Sequence, residues 1–356
     1  MRKVVGSIQG FWEKDKVKIV LYIVIGFVLS LPIIHYLITG GYTSYYLDVA
    51  IRVGVYLLLA LGLNLVIGYT GLLDLGFIGV FGVACYTTAI LNTSGVPFYL
   101  SALGAIIAVV IFRFIIGLPI IRLRGDYLAI ATLGFGEIVR LIANNWDALT
   151  NGPRGLPKVG QHIEEINFGF ITLSSSLEVY IFTLIMIALG ILISYRIENS
   201  RIGRALVAIR EDEIASSLIG INTSKLKLFI FVISGIFGAV AGIIYTHKVG
   251  YITPNLIQFW DSILLVSIVV IGGIGSIPGV VLGSILFYGL PELLREFLGS
   301  QLTEFRMLVF GILMLVMIIF RPQGLIPSER RKLELKPEDQ KVKEEEDESL
   351  FDIEKR

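Results

Sequence analysis

Cysteine and histidine are scarce in this chain of 356 residues, which contains one cysteine and three histidines. The single cysteine, Cys85, excludes an internal disulfide and any CxxC metal site. His35, His162 and His247 lie far apart in the sequence and form no ligand cluster. The GxxxxGK(S/T), GxSxG and HExxH signatures are also missing. We therefore expect no catalytic residues, no metal and no cofactor, and the chain cannot hydrolyse ATP by itself.

Charge is scarce too, because 17% of the residues are charged and 55% are hydrophobic, with a mean hydropathy of +0.80. A soluble chain is nearer to about a quarter charged. The charges are segregated along the chain, so the net charge of +1 predicts no nucleic-acid surface. The apolar blocks are long enough to cross a bilayer, the shorter ones with help from their neighbours. They lie at about 17–38, 51–68, 72–91, 99–121, 127–143, 179–195, 227–246, 261–274, 276–290 and 305–320. The sequence predicts an all-α integral membrane protein with about ten transmembrane helices.

Lysine and arginine assign the sides of the membrane, because cytoplasmic loops carry an excess of both. The N-terminus, the central loop 196–226 and the start of the tail are basic, whereas the long loop 144–178 has only two basic residues. Ten crossings satisfy these placements in a multi-pass protein of the cell membrane (plasma or inner), with both termini cytoplasmic. We expect a transmembrane domain at 1–327 and a charged, solvated tail at 328–356, which has 8 basic and 11 acidic residues.

The order of the crossings is compatible with an inverted repeat. Spans two to five begin outside, whereas spans seven to ten begin inside, and spans one and six flank the two groups. Transporters of many kinds are built from such repeats. The two halves share little sequence, so the repeat is a hypothesis that depends on topology.

Two stretches at membrane depth are rich in glycine, at 63–82 and 270–283. Such stretches either pack closely against other helices or line a cavity, because freed backbone groups in lipid need protein or water as partners. Both interpretations stay open. Asp74 is costly at this depth unless it meets water or a partner, or lies at the cytoplasmic end of span three. The candidate residues of a translocation path are Asn64, Gly68, Tyr69, Thr70, Gly71, Asp74, Gly76, Glu137, Gly272, Gly273, Gly275 and Ser276.

Span five carries a predicted ion pair, since Glu137 and Arg140 are three residues apart on a helix. The pair is either a structural clamp, which we favour, or part of a translocation wall. The Asn-Gly and Gly-Pro dipeptides of TNGPRGL, residues 150–156, predict a turn on the outer face.

The stretch GRALVAIREDEIASSLIGIN, residues 203–222, is charge-dense and lies between two very apolar blocks. Read as one helix over 204–218, it has a narrow apolar side formed by Val207, Ile214 and Leu218, with Leu206 and Ile209 beside them. Such a helix lies on lipid or inserts into a groove of a soluble partner. Its mixture of acidic and basic residues disfavours an anionic lipid surface, so we favour the partner.

The ends and the charges of this helix complete the prediction. Gly220 is expected to terminate it, and Asn222 or one of the next two residues to begin the following span. The three acidic residues at 211–213 diverge by about 100° each on a helix, so they are a solvated face and not a metal site. Together with Arg210 they are expected to fix the register at the rim of the partner's groove.

Four long segments resemble the membrane permeases of branched-chain amino acid ABC importers, in particular the longer, LivM-type subunit. They are residues 60–91, 122–156, 203–222 and 247–294, in the order of the family. Residues 203–222 resemble the family's cytoplasmic coupling helix, which contacts the ATPase. The residues assigned to ATPase coupling, from this resemblance and from the apolar side of the helix, are Gly203, Arg204, Ala208, Arg210, Glu211, Asp212, Glu213, Ile214, Ala215 and Gly220.

The resemblance implies a permease subunit of an ATP-driven ABC importer for Leu, Ile, Val or related amino acids. The implied partners are two ABC ATPase subunits, a second permease subunit, an extracytoplasmic solute-binding protein and membrane lipid. The family commonly reads GYTGQLSLGH where residues 68–77 read GYTGLLDLGF, a departure that concerns the cargo. The alternatives are a urea, short-amide or sugar permease of the same superfamily, or an ion-coupled secondary transporter that would use Asp74 and Glu137.

Overall fold

The computed structural model describes residues 32–36, 45–123, 125–156, 166–167, 172–173, 175–291, 311–312, 315–316, 319–320 and 324–327. The α-helices are α1 (Tyr45–Thr70), α2 (Phe77–Thr93), α3 (Phe98–Ile120), α4 (Asp126–Asn145), α5 (Asp147–Thr150), α6 (Ser176–Glu198), α7 (Arg201–Glu211), α8 (Glu213–Leu218), α9 (Thr223–Val249), α10 (Phe259–Gly273) and α11 (Ile277–Ser284). The other elements are 3-10 turns at Gly152–Arg154 and Pro254–Leu256, a π-helical turn at Ile285–Gly289 and the antiparallel strands β1 (Ile166–Asn167) and β2 (Thr172–Leu173).

Most of the predicted spans correspond to apolar helices in the structure. Five helical segments are long and apolar enough to cross a membrane: Tyr45–Thr70, Phe98–Ile120, Ser176–Glu198, Thr223–Val249 and Pro254–Gly273. These correspond to predicted spans two, four, six, seven and eight. Two shorter apolar helices, Phe77–Thr93 and Ile277–Gly289, correspond to spans three and nine. The all-α membrane fold is therefore confirmed.

Of the remaining spans, the structure describes span five but almost none of spans one and ten. Span five corresponds to α4, a helix of 20 residues. Spans one and ten, predicted at 17–38 and 305–320, lie almost entirely outside the described residues, as does the tail 328–356. Span three begins later than predicted, at Phe77, because residues 71–76 leave the helical path.

Helices α1 and α9 form the centre of the described bundle. In its apolar 18-residue window α1 is 83% buried and α9 61%, compared with 28% for α3 and α6. Helix α9 packs against α1, α2 and α3, and α1 also contacts α6, α10 and α11. Small residues allow this close approach, since Gly242 of α9 lies against Ala84 of α2. The two central helices are spans two and seven, the first members of the hypothesised repeats, and the repeat itself stays a prediction.

Contacts between helix ends define the two ends of the bundle. At one end, Lys248 of α9 forms an ion pair with Asp48 of α1 at 2.7 Å and donates to the Ser176 hydroxyl of α6 at 2.7 Å. At the other, the Tyr69 hydroxyl of α1 lies 3.4 Å from Glu198 of α6, and helices α7 and α8 follow directly. We call this the α7–α8 end. Helices α1 and α6 thus run toward the α7–α8 end and α9 runs away from it, as the predicted order of crossings requires.

This arrangement predicts the accessibility of two serines. Ser94 follows α2 at the end opposite α7 and α8, Ser217 lies in α8, and both are exposed. In a Cys85→Ala background, the Ser94→Cys and Ser217→Cys variants should react with a membrane-impermeant thiol reagent from opposite sides of the membrane. Labelling of both variants from the same side would contradict the topology.

Candidate coupling site and broken helices

The two glycine-rich stretches meet inside the bundle. A Cβ atom on Gly68 of α1 would lie 2.8 Å from the Cα of Gly275, in the break between α10 and α11. The Gly275 amide donates to the Oδ1 of Asn64 at 2.8 Å, and this contact is buried. The backbone at Gly275 has a φ of +77°, and the Asn64 side chain supplies the acceptor that the broken helix lacks. Close packing therefore accounts for the glycines at this junction.

Helices α10 and α11 form a tight antiparallel hairpin. A Cβ atom on Gly272 would lie 2.5 Å from the Gly279 carbonyl oxygen, and one on Gly283 would lie 2.6 Å from the Ile268 carbonyl oxygen. Ser276 begins α11 as its N-cap, with its hydroxyl accepting from the Gly279 amide at 3.2 Å. A side chain larger than hydrogen at these glycines would separate the two helices.

A distant segment, residues 324–327, closes the end of α10. The Leu325 amide donates to the Ile271 carbonyl at 2.7 Å, and the Ile326 amide donates to the Gly272 carbonyl at 3.1 Å. These bonds bind helix-end carbonyls that have no partner within α10. Sequence reasoning missed this contact, because no local pattern links a segment beyond span ten to the end of span eight.

Two further polar groups at the end of α1 are bonded locally. The Thr70 hydroxyl donates to the Val66 carbonyl at 2.7 Å, and the Gly71 amide donates to the Ile67 carbonyl at 3.2 Å. Among the predicted path residues, Gly71 is exposed and Glu137 is half-buried, and the rest are buried. Their role in a translocation path stays a prediction.

Asp74 lies in the non-helical segment 71–76 and is 1% exposed. Its Oδ2 is 2.6 Å from Nη1 of Arg113 in α3, and its Oδ1 accepts from the Gly76 amide at 3.0 Å. Asp74 lies at the α7–α8 end of span three, but this place is not inexpensive in the expected sense, because the carboxylate is buried and depends on a partner. Arg113 was not predicted, although a lone arginine inside the apolar block 99–121 was an available signal.

Aromatic rings surround the buried guanidinium of Arg113. Its carbon lies 3.9 Å from the ring centroid of Phe231 and 4.8 Å from that of Phe77. Gly235 gives room to the side chain, since a Cβ atom there would lie 2.7 Å from the Arg113 Cγ. The carboxylate and the ring faces replace part of the water that burial removes, while Nε and Nη2 have no hydrogen-bond partner among the described residues. The ion pair thus fixes the non-helical segment to α3.

Helix α4 holds the same segment from another direction. The Leu75 amide donates to the Thr132 hydroxyl at 3.0 Å, and Gly76 lies directly against the Thr132 backbone. One turn further on, a Cβ atom on Gly79 would lie 2.8 Å from the Gly136 Cα. The connection between α1 and α2 is therefore held by α3 and α4 together.

The predicted ion pair of α4 is present. The Arg140 Nε donates to both carboxylate oxygens of Glu137, at 2.9 and 3.0 Å. The side chains are half-buried, with 31% of Arg140 and 40% of Glu137 exposed. In the described part of the chain, no hydrogen bond or ion pair joins these two residues to the Gly68–Gly275 junction. The pair is therefore separate from the junction, and its role as a clamp or a path wall stays a prediction.

The predicted single helix over 204–218 is wrong, because the segment forms two helices, α7 and α8. The chain is extended at Asp212, with φ −151° and ψ 110°. The Asp212 carboxylate accepts from the amides of Ile214 and Ala215 at 2.8 and 2.9 Å. Aspartate is among the strongest N-caps, and this local preference breaks the helical periodicity.

The end of the segment agrees with the prediction. Gly220, one residue beyond the C-cap Ile219 of α8, has a φ of +90°, and Asn222 caps α9 by accepting from the Lys225 amide at 3.1 Å. Gly203 lies at a tight turn, where a Cβ atom would be 2.2 Å from the Ile197 carbonyl oxygen. Among the other predicted coupling residues, Arg204, Glu211 and Ala215 are exposed and Ala208 is half-buried.

The apolar side of the segment is divided between two surroundings. Leu206 and Ile209 of α7 are buried, at 0% and 3% exposed. Ile214 and Leu218 of α8 and the adjacent Ile219 are 61%, 82% and 76% exposed. We call these three residues the α8 apolar cluster. Helix α7 therefore packs on the bundle, whereas the α8 apolar cluster is uncovered.

Two of the charged residues, which were predicted to lie at the rim of a partner's groove, contact the bundle instead. The Arg210 Nη1 donates to the Gly68 carbonyl at 2.8 Å, and the Glu213 carboxylate forms an ion pair with Lys227 of α9 at 2.7 Å. The Lys227 side chain is 4% exposed. These contacts join the segment to α1 and α9, the two central helices.

Broken helices that pack on each other are characteristic of multi-pass membrane transporters. Here a polar helical segment is also bonded to both central helices, as expected for a membrane permease. Residues 45–318 match the family described as branched-chain amino acid transport system / permease component, and the chain belongs to this family.

Similar proteins carry related names. The chain is 37% identical over 309 residues to the high-affinity branched-chain amino acid transport system permease protein LivM of Salmonella typhimurium, which covers 81% of this chain and 72% of the relative. It is 30% identical over 292 residues to the permease protein LivH of Escherichia coli, with 76% and 91% covered. It is 26% identical over 326 residues to the probable permease protein LivM of Methanocaldococcus jannaschii, with 77% and 91% covered. No solved structure matches.

The buried ion pair makes a testable contribution to stability. The Asp74→Asn variant keeps an acceptor for the Gly76 amide but leaves the charge of Arg113 without a partner, which should cost about 3–5 kcal/mol. The apparent melting temperature of the purified protein in detergent should therefore fall clearly. The double variant Asp74→Asn, Arg113→Met removes both charges and should recover most of the loss. Equal melting temperatures for the wild type and Asp74→Asn would contradict the assignment.

Proposed function

We propose that this chain is the permease subunit of an ATP-driven importer for branched-chain amino acids, and that the α8 apolar cluster docks on an ATPase subunit. The observation that carries the proposal is the uncovered cluster at Ile214, Leu218 and Ile219, on a helix bonded to the bundle through Glu213. An exposed apolar patch of this kind on an otherwise polar segment is typical of an interaction site.

The charge distribution supports a cytoplasmic position for this surface. The central loop 196–226 is rich in arginine and lysine, as are the N-terminus and the start of the tail. Both termini are then cytoplasmic, and the docking helix faces the compartment that contains ATP. The transmembrane permease domain is residues 1–327, and 328–356 is a cytoplasmic tail.

The names of the relatives support a proposal for the assembly. This chain resembles both LivM and LivH, permease proteins of high-affinity branched-chain amino acid transport systems. We propose two such permease subunits, each docked to one ABC ATPase subunit. A solute-binding protein delivers the amino acid on the opposite side, where the predicted outer loop 144–178 lies.

The junction of the broken helices is proposed as the closed barrier of the path. Gly68 and Gly275 are in backbone contact, so no solute fits between them. The two breaks, at 71–76 and 274–276, are not helical. Because no helical hydrogen bonds cross them, the broken helices can separate at the junction without unwinding α1 or α10. Asn64 and Ser276 border this junction and would meet the passing amino acid. An ion-coupled mechanism has less support, because the carboxylates of Asp74 and Glu137 are neutralised by Arg113 and Arg140.

Replacing a member of the α8 apolar cluster by a charge tests the docking proposal. The Ile214→Asp variant would place an unpaired carboxylate in the interface, which costs several kcal/mol. We expect the ATPase subunits to be lost on purification and ATP-dependent uptake of leucine into proteoliposomes to stop. Asp212→Asn should have little effect, because asparagine caps α8 equally well.

A matched control is Ile202→Asp, an equal change at an exposed isoleucine of α7 outside the α8 apolar cluster. It should keep the ATPase subunits bound. Retention of both the ATPase subunits and the transport in Ile214→Asp would refute the docking surface. Uptake of urea, a short amide or a sugar in place of leucine would refute the cargo and leave the docking surface intact.

A further inference from the structure

We propose that Arg210 is the positioning residue through which movement of α7 and α8 reaches the junction of the two broken helices. The inference rests on the proposed function, since it takes the α8 apolar cluster as the ATPase contact. It assigns to Arg210 a role inside the permease and not in the docking interface.

Arg210 reaches from the last turn of α7 to the end of α1. Its Nη1 donates to the Gly68 carbonyl at 2.8 Å, and its Cγ would lie 3.1 Å from a Cβ atom on Gly71. Gly71 has a φ of +69° and is the first residue after the helix. The side chain therefore contacts α1 on both sides of the point where it ends.

The same glycine that binds Arg210 forms the junction with the second break. Gly68 presents its carbonyl to Arg210 and its Cα to the backbone of Gly275. One residue thus separates the guanidinium from the α10–α11 hairpin. Since glycine has no side chain that could yield, a displacement of the carbonyl moves this contact directly.

A second contact, an ion pair, attaches the α7–α8 segment to the bundle. Glu213, directly after the extended Asp212, is paired with the buried Lys227 of α9. Force applied to the α8 apolar cluster therefore reaches α9 through Glu213 and α1 through Arg210. Of these two contacts, the one made by Arg210 ends at a broken helix, and we therefore assign control of the junction to Arg210.

The Arg210→Ala variant separates coupling from docking in the assembled transporter. The ATPase subunits should still co-purify, and their basal ATP hydrolysis should stay at the wild-type level. The number of leucine molecules transported per ATP should fall about tenfold, the size expected for the loss of one charge-assisted hydrogen bond. Stimulation of ATP hydrolysis by the loaded binding protein should fall with it. Arg210→Lys keeps a donor and should recover part of the coupling.

Arg201→Ala is the matched control, because Arg201 is an exposed arginine at the start of the same helix. It should leave the transport ratio unchanged. Loss of the ATPase subunits from Arg210→Ala would overturn the inference and place Arg210 in the docking interface, with the proposed function intact. An unchanged ratio of transport to ATP hydrolysis in Arg210→Ala would overturn it as well.

A covalent replacement of the contact provides a second test. In a Cys85→Ala background, the Gly71→Cys, Arg210→Cys variant places two cysteines in contact, because a Cβ atom on Gly71 would lie 3.1 Å from the Arg210 Cγ. The strain of a side chain at the φ of +69° of Gly71 is the same in the oxidised and the reduced forms, so the comparison between them isolates the bridge. The oxidised form should transport more leucine per ATP than the reduced form, because the bridge restores the tie. A lower ratio after oxidation would mean that the contact must break during transport and would overturn the inference.

Discussion

The end of α1 is the point on which the arrangement of the other broken segments depends. A helix that ends inside a membrane protein leaves carbonyls that lipid cannot satisfy, so other protein groups must bind them. Here the Ile67 carbonyl accepts from the Gly71 amide, and the Gly68 carbonyl accepts from Arg210. The second broken helix, α10, meets the same requirement with the backbone of 324–327. The Gly68 carbonyl of α1 and the last carbonyls of α10 are thus bound by distant parts of the chain.

Buried charges add a second constraint, because an unpaired charge in the interior is more costly than a lost apolar contact. Asp74 and Arg113 join the connection after α1 to α3, and Glu213 and Lys227 join α8 to α9. Each pair specifies one position for a segment that has few intrahelical bonds of its own. The non-helical connection and the two short helices are therefore attached to the central helices at defined points, which is what transmission of movement between them requires.

The sequence contained the local features of this arrangement but not its long-range contacts. The density of glycine marked both stretches in which the helices break, yet the contact between Gly68 and Gly275 joins residues too far apart for any periodicity to reveal. Asp74 was recognised as costly, while Arg113 was overlooked because its pairing occurs between helices. At Asp212 the helical periodicity predicted one continuous helix, whereas the local N-cap preference of aspartate predicted a new helix. The structure follows the N-cap preference. The exposure of the α8 apolar cluster could be known only once Leu206 and Ile209 were placed against the bundle.

The central claim is that the α7–α8 segment and the two breaks move as one unit. Amide hydrogen exchange in the assembled transporter tests it most directly, by comparing the nucleotide-free state with a state trapped by ATP and vanadate. The account predicts that protection changes together in 203–222, 71–76 and 273–276, and that Arg210→Ala limits the change to 203–222. A change limited to 203–222 in the wild-type transporter would contradict the account.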